Sequence, residues 1–535
     1  MQQLSSQVDV RSEDFRLNEL HNKRLATELE ERQHAARFER PVRDLERLKR
    51  QNKLFVRDRI EALLDPDTPF LELSTLAANK AYDGEVPGAA QVVGIGIVAG
   101  REVVIHADDA SVKGGAWYPL SVKKIVRALD IAIENRLPVV HLCDCAGGFL
   151  PLQAEFFADR YHAGRILRNQ SILSKMGVPQ VGIAMGHCSA GGAFVPALSD
   201  YNIIVEGTGA IFLGGPPVVK AATGAEISAE ELGGAQMHTS VSGTSDYVAS
   251  SELHAIAIAR DIVARFNDPV KASINQAAPE PPAYSASELY GIIPRDPRTQ
   301  FDMREIIARL VDGSRFHEHK PRYGETLVCG FARLHGYQIG ILANNGVLLS
   351  ESALKGAHFI QLCDKSRTPL LFLQNTTGFM VGRDYERRGI TKDGAKLIMA
   401  VSGASVPKFT IVCNASHGAG TYAMAGRAFD PRFVFTWPQS QISAMGAEQA
   451  AGVLTHVKAR QLARHDGHLS TEELAAIRQP ILDEYRQRSS AYYATSELWD
   501  DGILDPVDTR NALAIVLSAS LNSPITSPHY GVFRM

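Results

Sequence analysis

Residues 185–196 read MGHCSAGGAFVP and follow an apolar, strand-like run, Val178–Ala184. Ala190, Gly191 and Gly192 leave the backbone uncovered just where that strand ends. Glycine permits positive φ and close approach of a ligand, and amides at the start of a following helix can stabilise a developing negative charge. By itself, a glycine pair after a strand is the ordinary mark of a tight turn or a close helix–sheet contact. The stretch gains weight from a second one, NASHGAG at residues 414–420, which ends another apolar run, Phe409–Cys413.

The surroundings of the two stretches match as well. Upstream of the first lie the strand-like Gln91–Val98 and Glu102–Ala107, a helix over Leu120–Asn135, and a strand at Val139–Cys143 that ends in Asp144-Cys145-Ala146-Gly147-Gly148. Upstream of the second lie Leu327–Leu334 and Gln338–Ala343, a helix over Ser350–Ser366 and the strand Leu370–Gln374. Pro138 precedes Gly147 by nine residues, and Pro369 precedes Gly378 by the same nine. A recurrence of this length indicates a duplicated unit, and strands alternating with helices indicate an α/β fold with ligands at the strand ends. Two similar cradles of amides suit the holding of two carbonyl oxygens while charge builds on both.

The chain of 535 residues has room for several domains; it is 45% hydrophobic and 21% charged, with a net charge of −3. That balance argues against a nucleic-acid surface, and no apolar segment is long enough to span a membrane. The six cysteines lie mostly in apolar runs without zinc spacing, which points to buried thiols, a reducing cytoplasmic compartment and no structural metal. The acidic N-terminus lacks the apolar core of a signal peptide. Residues Asn18–Lys53 read as helices of a packing arm without chemistry. QAAPEPPAYSAS, residues 276–287, is the candidate linker.

Six stretches carry a resemblance to a known family: GGAWYPLSVKK (114–124), GHCSAGGAFVPAL (186–198), FLGGPPVVKAATGAEISAEELGGA (212–235), ANNGVLLSESALKGAHFIQLC (343–363), LFLQNTTGFMVG (371–382) and YGVFRM (530–535). The chain resembles the carboxyltransferase (beta) subunit of biotin-dependent acyl-CoA carboxylases, in the 3-methylcrotonyl-CoA and geranyl-CoA group. The resemblance implies two tandem crotonase-like domains behind a helical arm: arm 1–60, an acyl-CoA domain 61–277 and a biotin domain 278–535. It further implies transfer of CO2 from carboxybiotin to the γ carbon of a branched enoyl-CoA, with biotin carried by a partner alpha subunit and a hexameric core in an α6β6 assembly. The site would lie between subunits.

Carried over by motif, Gly191 and Gly192 would hold the thioester oxygen, with Ala190 and Phe194 in the acyl pocket, and Gly418 and Ala419 would hold the ureido oxygen of biotin. Gly114, Gly115, Gly147 and Gly148 would meet CoA, and Gly378, Phe379 and Gly420 would lie on the biotin side. The chain departs from the methylcrotonyl pattern at His417, Thr421 and Ala423. Having His417 in place of an aromatic residue leaves room for a longer tail and favours geranyl-CoA over 3-methylcrotonyl-CoA, with His417 and Thr421 in the acyl pocket.

Other readings remain open from sequence. A biotin-dependent decarboxylase subunit, a CoA hydratase or isomerase, and a non-catalytic assembly core share parts of the pattern. Asp108-Asp109 reads as a loop edge rather than a metal site, and Glu351 and Glu448 as solvated rather than catalytic acids. His417 reads as a pocket wall rather than a base. FLGGPP lacks a P-loop ending, and Lys123, Lys124 and Arg165 are candidates for CoA phosphates.

Overall fold

The computed structural model describes residues 2–466 and 470–535. Among these residues sixteen strands form two sheets of eight. In chain order they are β1 (Gln2–Gln3), β2 (Leu71–Leu73), β3 (Gln91–Val98), β4 (Arg101–Asp108), β5 (Val139–Cys145), β6 (Gln180–Ser189), β7 (Tyr201–Val205), β8 (Ala210–Phe212) and β9 (Tyr247–Ala249). The second half supplies β10 (Arg315–Glu318), β11 (Leu327–Leu334), β12 (Tyr337–Asn344), β13 (Leu370–Thr376), β14 (Lys408–His417), β15 (Phe433–Thr436) and β16 (Gln441–Ser443).

The first sheet runs β2-β3-β4-β5-β6-β7-β9 and the second β1-β10-β11-β12-β13-β14-β15, with β8 on β6 and β16 on β14. Each contains an antiparallel hairpin, β3–β4 or β11–β12, followed by parallel strands. The parallel strands are buried along almost all of their length and are mostly apolar in their first halves, as burial on both faces requires. One core cluster takes residues from both sheets, among them Val104 and Val139 from the first and Val328, Ile341 and Phe433 from the second.

The repeat extends to an irregularity in the ladder. The pairing of β5 with β6 shifts register between Cys143 and Cys145, and that of β13 with β14 shifts between Gln374 and Thr376. Four steps of β6, from Ala184 to Cys188, thus oppose two steps of β5, and Val412 to Ser416 do the same against β13. Beyond the shift, each long strand acquires a new partner, β8 or β16. This is why β6 and β14 run on to Ser189 and His417, past the ends at Ala184 and Cys413 expected from hydrophobicity alone.

The arm is helical over Glu13–Phe38, Val42–Arg50 and Val56–Leu63. It does not hang free: Asn22 Nδ2 donates to the carbonyls of Tyr290 and Ile293 at 2.8 Å, and the Phe15 ring sits where a side chain on Gly291 would stand. The Pro/Ala-rich stretch is likewise pinned, with Gln276 bridged to Tyr337 and the Ala277 amide donating to Gly336. Asp501 ties the halves together by accepting from Arg127 and Arg427 (both 2.8 Å) and from the Val434 amide.

Candidate active site

The shared register equates positions in the two halves. Cys145 answers to Thr376, Cys188 to Ser416, Ala190 to Gly418, Gly191 to Ala419 and Gly192 to Gly420. After β6 the chain makes a 3-10 turn, Ala190–Ala193, with no side-chain cap at Ser189; after β14 it enters the helix Ala419–Ala423, also without one. The first amides of such turns have no partner within the turn. Among the described residues none takes the amides of Gly191, Gly192, Ala419 or Gly420.

The Gly418 amide differs, because it donates to the Ser443 carbonyl at 2.9 Å. The expected pair Gly418–Ala419 is therefore corrected to Ala419–Gly420, since the extra strand β16 uses up the first donor.

Two glycines in each half make this geometry possible. Gly147 (φ +96°) and Gly378 (φ +110°) have conformations closed to most residues, over the carbonyls of Ser189 and His417 respectively. A Cβ on Gly192 would stand 3.0 Å from Cys145 Sγ, and one on Gly420 would stand 2.9 Å from Gly378 Cα.

Each cradle adjoins a cavity, and the two cavities are lined at equivalent positions. In the first half a space of about 620 Å³ is bounded by Asp144, Ala146, His187 and Ser189, with Gly215-Pro216-Pro217 opposite. In the second a space of about 460 Å³ is bounded by Asn375, Thr377, Ala415 and His417, with Gly446-Ala447-Glu448 opposite. Both carry charged residues, and the second is lined by Arg298 and Arg486 together with Asp296 and Glu448. Arg47 and Lys53 line the first, and Lys53 Nζ binds Asp144 at 2.8 Å. Arg59, buried, links Asp144 (3.1 Å) to Glu252 (2.5 Å). Gly186 leaves the space that Asp144 and Lys53 fill. Nothing in the spacing of residues 42–59 indicated this, so the arm read as inert packing in fact supplies the basic wall of the first cavity.

The remaining sequence candidates divide. Gly114 lines the first cavity; Gly115 instead lies against the Asp144 carbonyl and Gly148 against the Phe156 ring, while the Gly147 carbonyl accepts from the Trp117 amide. Ala190 and Phe194 are exposed beside the first cradle. His417 is buried on the second cavity with Nδ1 bonded to Ser443 Oγ at 2.8 Å, and burial lowers its pKa. The Thr421 hydroxyl turns beneath the second cradle to Ser416 (2.8 Å). Phe379 turns its ring onto Gly394 rather than into the cavity.

Lys124 cannot reach a phosphate. It is buried, donating to the carbonyls of Ser74, Gly88 and Gln91 at 2.9–3.0 Å, and burial pulls its pKa down to about 7. Lys123 donates to the Glu497 carbonyl and Arg165 lies over the Tyr161 ring, both away from the first cavity.

Asp108 and Asp109 are buried rather than at a loop edge. Asp109 pairs with Arg40 at 2.8 Å, and Asp108 accepts from the Asp144 amide at 3.0 Å. Burial raises the Asp108 pKa to about 6. No cluster of three metal-type ligands occurs among the described residues, and no helix among them is long and apolar enough to cross a membrane. Glu351 is exposed, and Glu448 is exposed and bound by Arg478 and Arg486. All six cysteines are free thiols and buried.

Comparison with known proteins agrees with this geometry. The carboxyl transferase domain family model matches residues 48–531. The chain is 51% identical over 514 residues to the biotin-dependent 3-methylcrotonyl-coenzyme A carboxylase beta1 subunit of Mycobacterium tuberculosis, covering 96% of this chain and 97% of that one. It is 48% identical over 534 residues to the mitochondrial methylcrotonoyl-CoA carboxylase beta chain of Arabidopsis thaliana, covering 99% and 91%. Among solved structures, the beta subunit of geranyl-CoA carboxylase from P. aeruginosa superposes with a TM-score of 0.90 at 38% identity, covering 99% of each chain. With its duplicated sheet and twin cradles, the chain belongs to the carboxyl transferase domain family, among the beta subunits of biotin-dependent acyl-CoA carboxylases.

Proposed function

We propose that this chain transfers a carboxyl group from carboxybiotin, borne by a separate alpha subunit, to the γ carbon of a branched enoyl-CoA. The observation that carries this reading is the pair of equivalent free-amide cradles, each with its own cavity. Such a pair suits a reaction in which negative charge builds on two carbonyl oxygens. Gly191 and Gly192 hold the thioester oxygen, and Ala419 and Gly420 the ureido oxygen. Arg47 and Lys53 give the first cavity the positive charge that the CoA phosphates require. Carboxybiotin, when delivered, supplies CO2 and a ureido anion able to take the γ proton. The chain itself then needs no side-chain base, and His417, tied to Ser443, is a wall.

The chain divides into an arm (1–60), an acyl-CoA domain (61–277) and a biotin domain (278–535). Phe194 and Tyr422 occupy equivalent places on the lips of the two cradles, at 40% and 48% exposure. We read these lips as covered by a second copy, the acyl-CoA half of one facing the biotin half of the next, in a hexameric core of an α6β6 assembly. The compartment is the cytoplasm, in keeping with six reduced thiols.

The acyl group is 3-methylcrotonyl, on the strength of half-identical relatives that carry that name. Geranyl-CoA is the second reading, favoured by His417 and by the superposition on the geranyl-CoA carboxylase subunit. Reconstitution with the biotinylated partner and comparison of kcat/KM for the two acyl-CoAs tests both. A preference for geranyl-CoA overturns the first choice, and absence of carboxylation with either overturns the reaction.

A further inference from the structure

The floor of the second cavity holds a hydrogen-bond device absent from the first. By register, Asn375 stands where the first half has Asp144, and Asn414 where it has Gly186. Asn375 and Asn414 are 3% and 1% exposed, and Asn375 lines the cavity. Asn414 Nδ2 donates to the Pro297 carbonyl at 2.8 Å and to Asn375 Oδ1 at 3.0 Å. A proline carbonyl can only accept, so it fixes which end of the Asn414 amide faces it. That orientation in turn fixes Asn375 with Oδ1 toward Asn414. Asn375 Nδ2 is left buried with no partner among the described residues. A buried donor without a partner costs stability unless a ligand or water takes it.

We infer that Asn375 is the specificity residue of the biotin cavity: its Nδ2 donates to the carboxylate carried on the ureido ring, with Asn414 as the positioning residue that aims it. The inference rests on the reading of this cavity as the carboxybiotin site. The contrast with the first half gives the physical reason. There the equivalent position is a carboxylate, Asp144, whose oxygens are taken by Lys53 and Arg59. An anion at this place would repel a second carboxylate, whereas a neutral amide donor accepts one. It also binds more weakly than a cation would, and so does not trap a group that must lose its charge as CO2 departs. The same position in the duplicated fold thus separates the half that takes a CoA thioester from the half that takes carboxybiotin.

The test uses the purified full-length chain and two probes, biotin and its N1-methoxycarbonyl ester, which presents a carbonyl where carboxybiotin has its carboxylate. Calorimetry on the wild type should show the ester bound at least fivefold more tightly than biotin. Asn375→Ala should abolish that preference and leave biotin affinity within twofold. Asn375→Asp keeps the acceptor for Asn414 and replaces the donor with an acceptor. It should reverse the preference, and the preference should return as the pH is lowered and the acid protonates. This isosteric variant decides the matter if Asn375→Ala does not fold. An undiminished preference for the ester in either folded variant overturns the inference but leaves the cavity as the biotin site. A wild type that binds neither probe overturns the reading of the cavity, and the inference with it.

Discussion

The sharpest prediction concerns Gly192 and its neighbour Gly191, because the structure separates them by half an ångström. A Cβ on Gly192 would lie 3.0 Å from Cys145 Sγ and 3.1 Å from its Cβ. Ordinary contacts begin near about 3.5 Å, so something must move by about 0.5 Å. Cys145 is poorly placed to yield: it is buried in β5, and its sulfur accepts from the Gly147 amide at 3.3 Å. The displacement therefore falls on the cradle. A hydrogen bond of about 2.9 Å stretched by that amount, and tilted, is largely forfeited. Loss of one donor from such a hole costs about 3–4 kcal/mol, or about 100- to 1000-fold in kcat. A Cβ on Gly191 would meet only the Trp117 ring, at 3.6 Å, and needs no such movement. In the reconstituted complex, Gly192→Ala should lower kcat by about two orders of magnitude with little change in melting temperature, and Gly191→Ala by less than tenfold. Gly420→Ala should be at least as damaging as Gly192→Ala, because it meets the backbone of Gly378. If Gly192→Ala keeps kcat within threefold of wild type, or if Gly191→Ala loses as much, the amides are not the device described.

Two further predictions concern buried carboxylates. Folding raises the Asp108 pKa from 3.8 to about 6, mainly through burial. The native state therefore holds this proton longer than the unfolded chain, and the group's contribution falls as pH rises through that window, by about 3 kcal/mol at neutral pH. The equivalent residue of the second half is Asn344, which accepts from the Asn375 amide just as Asp108 accepts from that of Asp144. Asp108→Asn should therefore gain stability relative to wild type between pH 4 and 7, read from paired urea melts; parallel curves would refute it. For Asp501, burial alone would raise the pKa, but Arg127 and Arg427 hold it well below the usual carboxylate range. Asp501→Asn leaves Arg427 without its charge partner and Arg127 with only Glu134 at 3.4 Å, and should cost about 3–5 kcal/mol. Asp261→Asn, which breaks an exposed pair with Arg265, should cost less than about 1 kcal/mol and serves as the control.

The duplicated unit was legible because apolar strands and strand-end glycines obey local rules that survive divergence. Gly147 and Gly378 must adopt positive φ in any sequence that makes this turn, and both fell at the same distance from a proline. What escaped was whatever depends on a second layer of pairing. Hydrophobicity ends β6 at Ala184, yet the strand continues to Ser189 because β8 receives it after the register shift. The same event at β14 consumes the Gly418 amide and leaves the free amides of the second half at Ala419 and Gly420. The basic wall of the first cavity was hidden for a related reason. Arg47 and Lys53, which line it, lie far along the chain from Asp144, and only the folded arm brings Lys53 to 2.8 Å from that carboxyl.

These omissions share a logic that bears on how one fold came to hold two different ligands. The backbone device, free amides after a strand, is common to both halves and was retained wherever glycine allowed it. Side chains behind the device are free to change, provided each buried polar group finds a partner. In the first half, Gly186 makes room for the Asp144 carboxyl with Lys53 and Arg59 around it, which sets a floor of paired charges beside a basic wall. In the second, Asn414 fills that room and turns Asn375 into a neutral donor. Beneath the cradles the same substitution of character recurs. Cys143 and Cys188 lie under the first, whereas Gln374, Ser416 and Thr421 form a hydrogen-bonded chain under the second. Duplication thus supplied two cradles of free amides, and the residues one layer behind them made the cradles unequal.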